Sequence, residues 1–214
     1  MGFTRTVYPD RETWLQHRHG LGGSDSGSVC GWGFKTPLQL WEEKVGKAKP
    51  KDLSVNERIE FGNAIEEPLR SMYRVMFPEH ELTFTPYTIL RRDEPELNFE
   101  FYTPDGELVE KATGRKGLYE SKSVYATSAK VWSEWRDQIP KGYYAQLLKG
   151  MAVGDFEFAV LFAVLRRLDG DAELRRYAFE RDACEEDIKW LIQKETEFWR
   201  SVQTRTMPKL TLQF

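Results

Sequence analysis

The chain reads as an α/β (α+β) protein in which helices flank a central sheet, and three observations predict it. Apolar residues recur at helical spacing, behind recognisable caps, as far as Met76. From Leu82 the signal changes to short runs of strand-forming residues separated by turn residues. Beyond Val124 helices return, interrupted by one hairpin, and supply cover for both faces of the sheet. The 214 residues are 40% hydrophobic and include 7 Trp, 9 Tyr and 13 Phe, enough for one domain (1–214) with a full core.

Asp10 precedes a short helical pattern carrying Trp14, Leu15 and Arg18, which Gly20 stops. Gly22-Gly23-Ser24-Asp25 follows, with Ser24 the expected N-cap of a short helix reaching Cys30. Thr36-Pro37 opens a helix in cap-then-proline order, and Gly46 closes it after Val45. Ser54-Val55-Asn56-Glu57 is a capping box for a long helix to about Met76, with Ile59, Ile65, Leu69, Met72, Tyr73 and Met76 on its apolar side. Inside it, Gly62 predicts a close backbone approach and Pro68 a bend or a new helix start. Strands are expected over 82–90, 98–102, 107–109 and 118–124, and helices over 128–135 and 141–153. Residues 156–166 and 174–179 read as an antiparallel pair around Leu168-Asp169-Gly170-Asp171. Asp182 then caps a final amphipathic helix ending near Gln203.

No apolar run reaches the roughly 20 residues that a membrane helix needs. No basic stretch followed by an apolar core opens the chain, so no signal peptide is expected and the cytoplasm is the expected location. Cys30 and Cys184 lie far apart and outside any CxxC spacing, so they read as buried thiols in a reducing compartment. His17, His19 and His80 have no metal-ligand spacing and are expected on the surface. A net charge of −3 counts mildly against a nucleic-acid binder, although the carboxylates of a metal-dependent nuclease are part of that count.

The densest chemistry lies in Thr103-Pro104-Asp105-Gly106 and Tyr119-Glu120-Ser121-Lys122, where Pro-Asp is followed after fourteen residues by Glu-x-Lys. In a strand, side chains at i and i+2 share a face, so Glu120 and Lys122 point one way and Ser121 the other. If Asp105 ends the preceding strand of a hairpin, its carboxylate meets that of Glu120. Two carboxylates and an amine would then converge, the donor set for a hard divalent cation with an amine beside its bound water. Read alone, Asp-Gly is also a common turn and Glu-x-Lys an ordinary cross-sign pair. Glu66 in Gly62-x3-Glu66-Glu67-Pro68 offers a third carboxylate, and Gln146 sits with Tyr143 and Gly150 on one helix face. Arg18 and Ser24 flank a glycine turn suited to a phosphate. Each also has a bland reading, as exposed glutamates, a boundary amide and a helix cap.

In order, W-x3-R, G-G-S-D, G-x3-E, P-D-G, E-x-K and Y-x-A-Q, running from about Trp14 to Leu165, resemble the YqaJ-like viral recombinase family. That family belongs with lambda-exonuclease-like enzymes in the PD-(D/E)XK nuclease superfamily. The resemblance implies a restriction-endonuclease-like core with a central mixed sheet, its motifs within 14–165 and a C-terminal hairpin and helix over 156–203. It implies that Asp105, Glu120, the Ser121 carbonyl and Glu66 hold one or two Mg²⁺ ions, with Mn²⁺ as a substitute. Lys122 would orient or deprotonate water, Gln146 would be the active-site glutamine, and Arg18 with Ser24 would grip a 5′ phosphate. The implied activity is degradation of linear double-stranded DNA from 5′ to 3′, leaving 3′ single-stranded tails. The implied partners are DNA ends, two further copies in a homotrimer and a single-strand annealing protein.

The sequence departs from the family in carrying Glu66-Glu67-Pro68, which leaves Glu67 as a rival to Glu66, and in Leu148 where a second glutamine often stands. Its longer Asp-to-Glu gap is expected to bring a basic hairpin tip (Lys111, Arg115, Lys116) near the site. An endonuclease or flap nuclease would share every metal ligand, and a DNA-end-binding scaffold is the non-enzyme alternative.

Overall fold

A computed structural model describes residues 2–49, 57–167 and 170–208. In chain order the elements are β1 (Phe3–Val7), α1 (Arg11–Gln16), α2 (Gly23–Val29), α3 (Pro37–Lys44), α4 (Glu57–Met76), β2 (His80–Thr83), β3 (Thr88–Arg92) and β4 (Phe101–Tyr102). They continue with β5 (Gly106–Glu110), β6 (Lys116–Ala126), α5 (Ala129–Ser133), α6 (Lys141–Gly154), β7 (Phe158–Arg167), β8 (Ala172–Glu180) and α7 (Arg181–Gln203). One sheet has the order β2-β5-β6-β7-β8, with β6 and β7 parallel and the other neighbours antiparallel. The central sheet is therefore mixed, as predicted. A second, antiparallel sheet has the order β1-β3-β4.

The register of side chains along β6 and β7 assigns each face of the large sheet to one helix. β7 is a continuous apolar run, which suits a strand covered on both faces. Its Ala159, Leu161, Ala163 and Leu165 join a core with Leu147, Leu148 and Met151 of α6. The alternate residues Phe158, Val160, Phe162 and Val164 pack with Leu69 and Tyr73 of α4. On β6 the same alternation sends Leu118 and Val124 to the α6 side and Tyr119 to the α4 side. Glu120 and Lys122 share the parity of Leu118 and Val124, so the sheet itself directs them towards α6.

Several expectations are corrected. Residues 82–90 are not one strand: β2 and β3 belong to different sheets, because Pro86 offers no N–H and Tyr87 turns the backbone left-handed (φ 57°). Residues 98–102 contribute strand only at the end, and β1, which the helix and strand patterns did not reveal, pairs with β3. Gly22, not Ser24, is the N-cap of α2, where the Asp25 carboxylate accepts the Gly22 N–H at 3.0 Å. Glu180, not Asp182, caps α7; Asp182 lies in the first turn, where an acid favours the helix dipole. α4 continues through Pro68, and a Cβ on Gly62 would meet nothing within 4 Å among the described residues, so no close approach explains that glycine. The capping box at 54–57 falls almost wholly outside the described residues, as do Leu168 and Asp169 of the β7–β8 turn.

His80 is buried, with its Nδ1 2.8 Å from the Tyr73 hydroxyl, and so is not the surface residue expected. Cys30 and Cys184 are free and buried, and burial pushes the Cys30 thiol up to about 12. Among the described residues no helix is long and apolar enough to cross a membrane.

Candidate active site

β5 leaves Asp105 at its start, turns at residues 111–115, and returns as β6 with Gly106 opposite Tyr119. The residue before Gly106 therefore lies beside Glu120. Asp105 begins the first strand of the hairpin instead of ending it, and the fourteen intervening residues are the outward strand, the turn and the return. The backbone N–H and hydroxyl of Ser121 both donate to Asp105 Oδ2, at 2.9 and 3.0 Å. These bonds fix the carboxylate against the strand that carries Glu120.

Glu120 is only 2% exposed, and three donors hold it. Its Oε1 accepts from Lys122 Nζ at 2.6 Å and from the Gln146 side-chain amide, while Oε2 accepts from the Tyr102 hydroxyl at 2.7 Å. Burial, and then the charge of Asp105, push its carboxyl up to about 7 despite the neighbouring ammonium. For Lys122 burial opposes the charged form, but the fields of Glu120 and Asp105 outweigh it and raise the ammonium above its ordinary value. The i, i+2 spacing in β6 thus pairs buried Glu120 with half-buried Lys122, to which α6 adds Gln146 from the facing side.

Glu66 and Glu67, adjacent on α4, have different surroundings. Burial and then the charge of Asp105 raise the Glu66 carboxyl, with Arg70 and Lys122 acting in the opposite sense. Glu66 therefore feels the site electrostatically. Glu67 instead accepts from Arg70 Nε at 2.8 Å and from Arg74 at 3.0 Å, and these bonds lower its carboxyl. Arg70, which the sequence reading missed, is 4% exposed and also donates to the Asp105 carbonyl at 3.0 Å, tying α4 to the start of β5.

The model of the YqaJ-like viral recombinase domain matches residues 13–157. The chain belongs to the YqaJ-like viral recombinase family. Its fold is shared with an alkaline exonuclease (LHK-Exo) from Laribacter hongkongensis, at 15% identity over 92% of this chain and 94% of that one (TM-score 0.59). A second structure of that protein, in complex with dAMP, gives a TM-score of 0.58 at the same identity and coverage. A phage-related exonuclease from Haemophilus somnus 129PT matches at 12% identity over 90% and 99% of the two chains (TM-score 0.55). No curated protein matches the chain.

In this YqaJ-family chain Arg18 lies over the Trp14 ring at 4.3 Å, which accounts for the W-x3-R spacing as a cation–π pair one helical turn apart. Its Nε is buried without a hydrogen-bond partner, and burial lowers the guanidinium from its ordinary value. Ser24 is exposed in the first turn of α2. The α2 segment reaches the carboxylates through Tyr102: a Cβ on Gly23 would lie 2.4 Å from that ring. The basic hairpin tip is not at the site. Five residues of β5 separate Asp105 from the turn, about 17 Å, and Arg115 there is paired with Glu180, Glu157 and Glu110. Trp135 is buried in the core and Trp132 packs against Arg167 and Arg175, both as packing residues.

Among the described residues no three His, Cys, Asp or Glu side chains form a metal-holding group. The donor chemistry nevertheless fits Mg²⁺, which is commonly bound through one or two carboxylates, substrate phosphates and water and not by a full protein cage. Asp105 and Glu120 are two adjoining hard oxygen donors whose mutual repulsion raises Glu120, and a divalent cation would relieve it.

Proposed function

We propose that this chain is a divalent-metal-dependent exonuclease that degrades one strand of linear double-stranded DNA from the 5′ end, leaving 3′ single-stranded tails for recombination. One observation carries the reading: the pair of buried Glu120 and half-buried Lys122 on one strand face meets Gln146 of α6 beside Asp105. Family membership and the shared fold support a nuclease on independent grounds.

A bound Mg²⁺ or Mn²⁺ would polarise the scissile phosphate and acidify a coordinated water. Asp105 and Glu120 are the carboxylates to hold it, with the Ser121 carbonyl as a further oxygen and Glu66 as an outer carboxylate or a ligand to a second ion. Lys122, whose ammonium is favoured by Glu120 and Asp105 against the effect of burial, would orient or deprotonate the attacking water and offset charge on the phosphate oxygens. Gln146 restrains Glu120 through its amide. Arg18, with an unpartnered buried donor, and the exposed hydroxyl of Ser24 form the receptor for a terminal 5′ phosphate. On this reading the working form is a homotrimer acting with a single-strand annealing protein, which would gather the basic surface of an acidic chain around DNA.

The test uses linear duplex with and without a 5′ phosphate, beside a covalently closed circle, in Mg²⁺. Loss of the phosphorylated strand from its 5′ end with the circle intact is the expected result. A nicked or cut circle would make the protein an endonuclease, and no cleavage of either would make it a DNA-end-binding protein.

A further inference from the structure

Tyr102 carries a role that no sequence motif announced. It is wholly buried at the end of β4, and its hydroxyl is 2.7 Å from Glu120 Oε2. Two glycines make room for its ring. A Cβ on Gly23 would sit 2.4 Å from Cε2, and one on Gly150 would sit 2.8 Å from Cζ. The first residue of α2 and the middle of α6 therefore both close on the ring, leaving it little freedom to turn or withdraw. A side chain that merely filled the core would need the same space but no polar tip, so the hydroxyl is what marks a role beyond packing.

A carboxylate offers about four lone-pair directions, two on each oxygen. Lys122 and Gln146 occupy both on Glu120 Oε1, and Tyr102 occupies one on Oε2. Among the described residues a single direction remains, on Oε2. The terminal torsion of a glutamate is broad and twofold, so without the Tyr102 hydroxyl the two oxygens could exchange roles or the plane could swing. We propose that Tyr102 is a positioning residue that fixes the Glu120 carboxylate so that it presents one lone pair of Oε2 to the divalent cation. Donors that orient a metal ligand in this way typically change metal affinity or activity by about 10–100-fold when removed. This inference rests on the reading of Asp105 and Glu120 as cation ligands.

The test is calorimetric titration of the DNA-free chain with Mn²⁺, comparing wild type, Tyr102→Phe, Gly150→Ala and Asp105→Ala. Tyr102→Phe is expected to weaken Mn²⁺ binding by about tenfold or more. In cleavage assays its half-saturating metal concentration should rise in parallel, while KM for linear duplex at saturating metal stays within about twofold. Gly150→Ala keeps the hydroxyl but crowds both the ring and Leu118, whose Cδ2 the new Cβ would meet at 2.3 Å, so it should weaken Mn²⁺ as well. Mn²⁺ binding by Tyr102→Phe equal to wild type would overturn the role of Tyr102 alone. Failure of wild type to bind Mn²⁺, or unchanged binding by Asp105→Ala, would remove the metal reading of the site and this inference with it.

Discussion

Gln146 and Lys149, three residues apart on α6, reach into two clusters built from the same ingredients. One holds Asp105, Glu120 and Lys122 at the edge of the β5–β6 hairpin. The other holds Glu100, Glu195 and Lys149, where Glu195 accepts from the Ser26 hydroxyl at 2.7 Å and from Lys149 Nζ at 2.6 Å. Exposure separates them. All four residues of the second cluster are at most 1% exposed, whereas the Lys122 side chain is 20% exposed and Asp105 is half-buried. Both pair an ammonium with a carboxylate, but of the two only the hairpin cluster is in part exposed to solvent. The closed one joins α2, α6 and α7 and works as an internal strut. A Glu–Lys pair thus acquires chemistry from its access, not from its composition.

The largest expected effects break the comparison if they fall on the wrong cluster. Lys122→Ala should reduce turnover by roughly 10²–10³-fold, as for loss of one donor that offsets transition-state charge, with a smaller fall in the urea midpoint than the closed cluster shows, since its ammonium borders solvent. Lys149→Ala should do the reverse, costing about 3–5 kcal/mol because it leaves buried Glu195 without its ammonium partner. Parallel denaturation curves and single-turnover cleavage on both variants decide it. A stable Lys149→Ala, or an active Lys122→Ala, would exchange the two assignments.

A smaller pair of effects follows from pH. Burial and Asp105 raise Glu120 to about 7, so below that pH a proton competes for the ligand. Mn²⁺ affinity of the DNA-free chain should therefore fall by up to about tenfold per pH unit below 7 and level off above it. Glu100 is raised by burial, with Lys149 opposing and Glu195 adding to it, and among the described residues neither of its oxygens has a hydrogen-bond partner. Its folded-state value, about 7, lies above the ordinary 4.5, so the native chain holds this proton more tightly than the unfolded one. That stability is present below 4.5 and is lost as pH rises through about 7. Glu100→Gln should lessen the decline in urea midpoint across this window, with the rest left to Glu120, whose raised carboxyl acts in the same sense, and should not alter the pH dependence of Mn²⁺ binding. Loss of the metal profile in Glu100→Gln would mean that the clusters are one coupled system.

What could be read in the sequence divides along the same line. Glu120 and Lys122 were legible because their spacing equals the strand period, and Asp105 because hairpin geometry needs no distant information. The closed cluster was not, since Ser26 and Lys149 meet Glu195 across 169 and 46 residues with no local period. Tyr102 was passed over for a related reason: its meaning lies in Gly23 and Gly150, which the chain brings to it from two other elements. The basic turn at 111–115 failed as an expectation because charge alone does not show that acids at 157 and 180 are waiting for Arg115. Residues 82–90 were read through Pro86-Tyr87 as one strand because the flanking apolar pattern outweighed the turn signal.

The smallest effect concerns Glu66 and Glu67, where the family spacing and the extra glutamate left two choices. Glu67 is 57% exposed and joined to exposed Arg74 and to buried Arg70, which keeps Glu66 and the Asp105 carbonyl, so Glu67→Gln removes one surface pair worth about 0–1 kcal/mol and should leave cleavage within about twofold. Glu66 responds to Asp105 and Lys122, so Glu66→Gln should lower cleavage by about tenfold, as expected of an outer carboxylate near a metal. Arg70 complicates the contrast, because it contacts both glutamates and the Asp105 carbonyl. Loss of Glu67 frees Arg70 to pair more fully with Glu66, which would draw that carboxylate away from the site. Glu67→Gln should therefore err towards reduced activity, and the Glu66→Gln, Glu67→Gln double variant should be no worse than Glu66→Gln alone. A double variant much less active than either single one would mean that both glutamates act independently at the site.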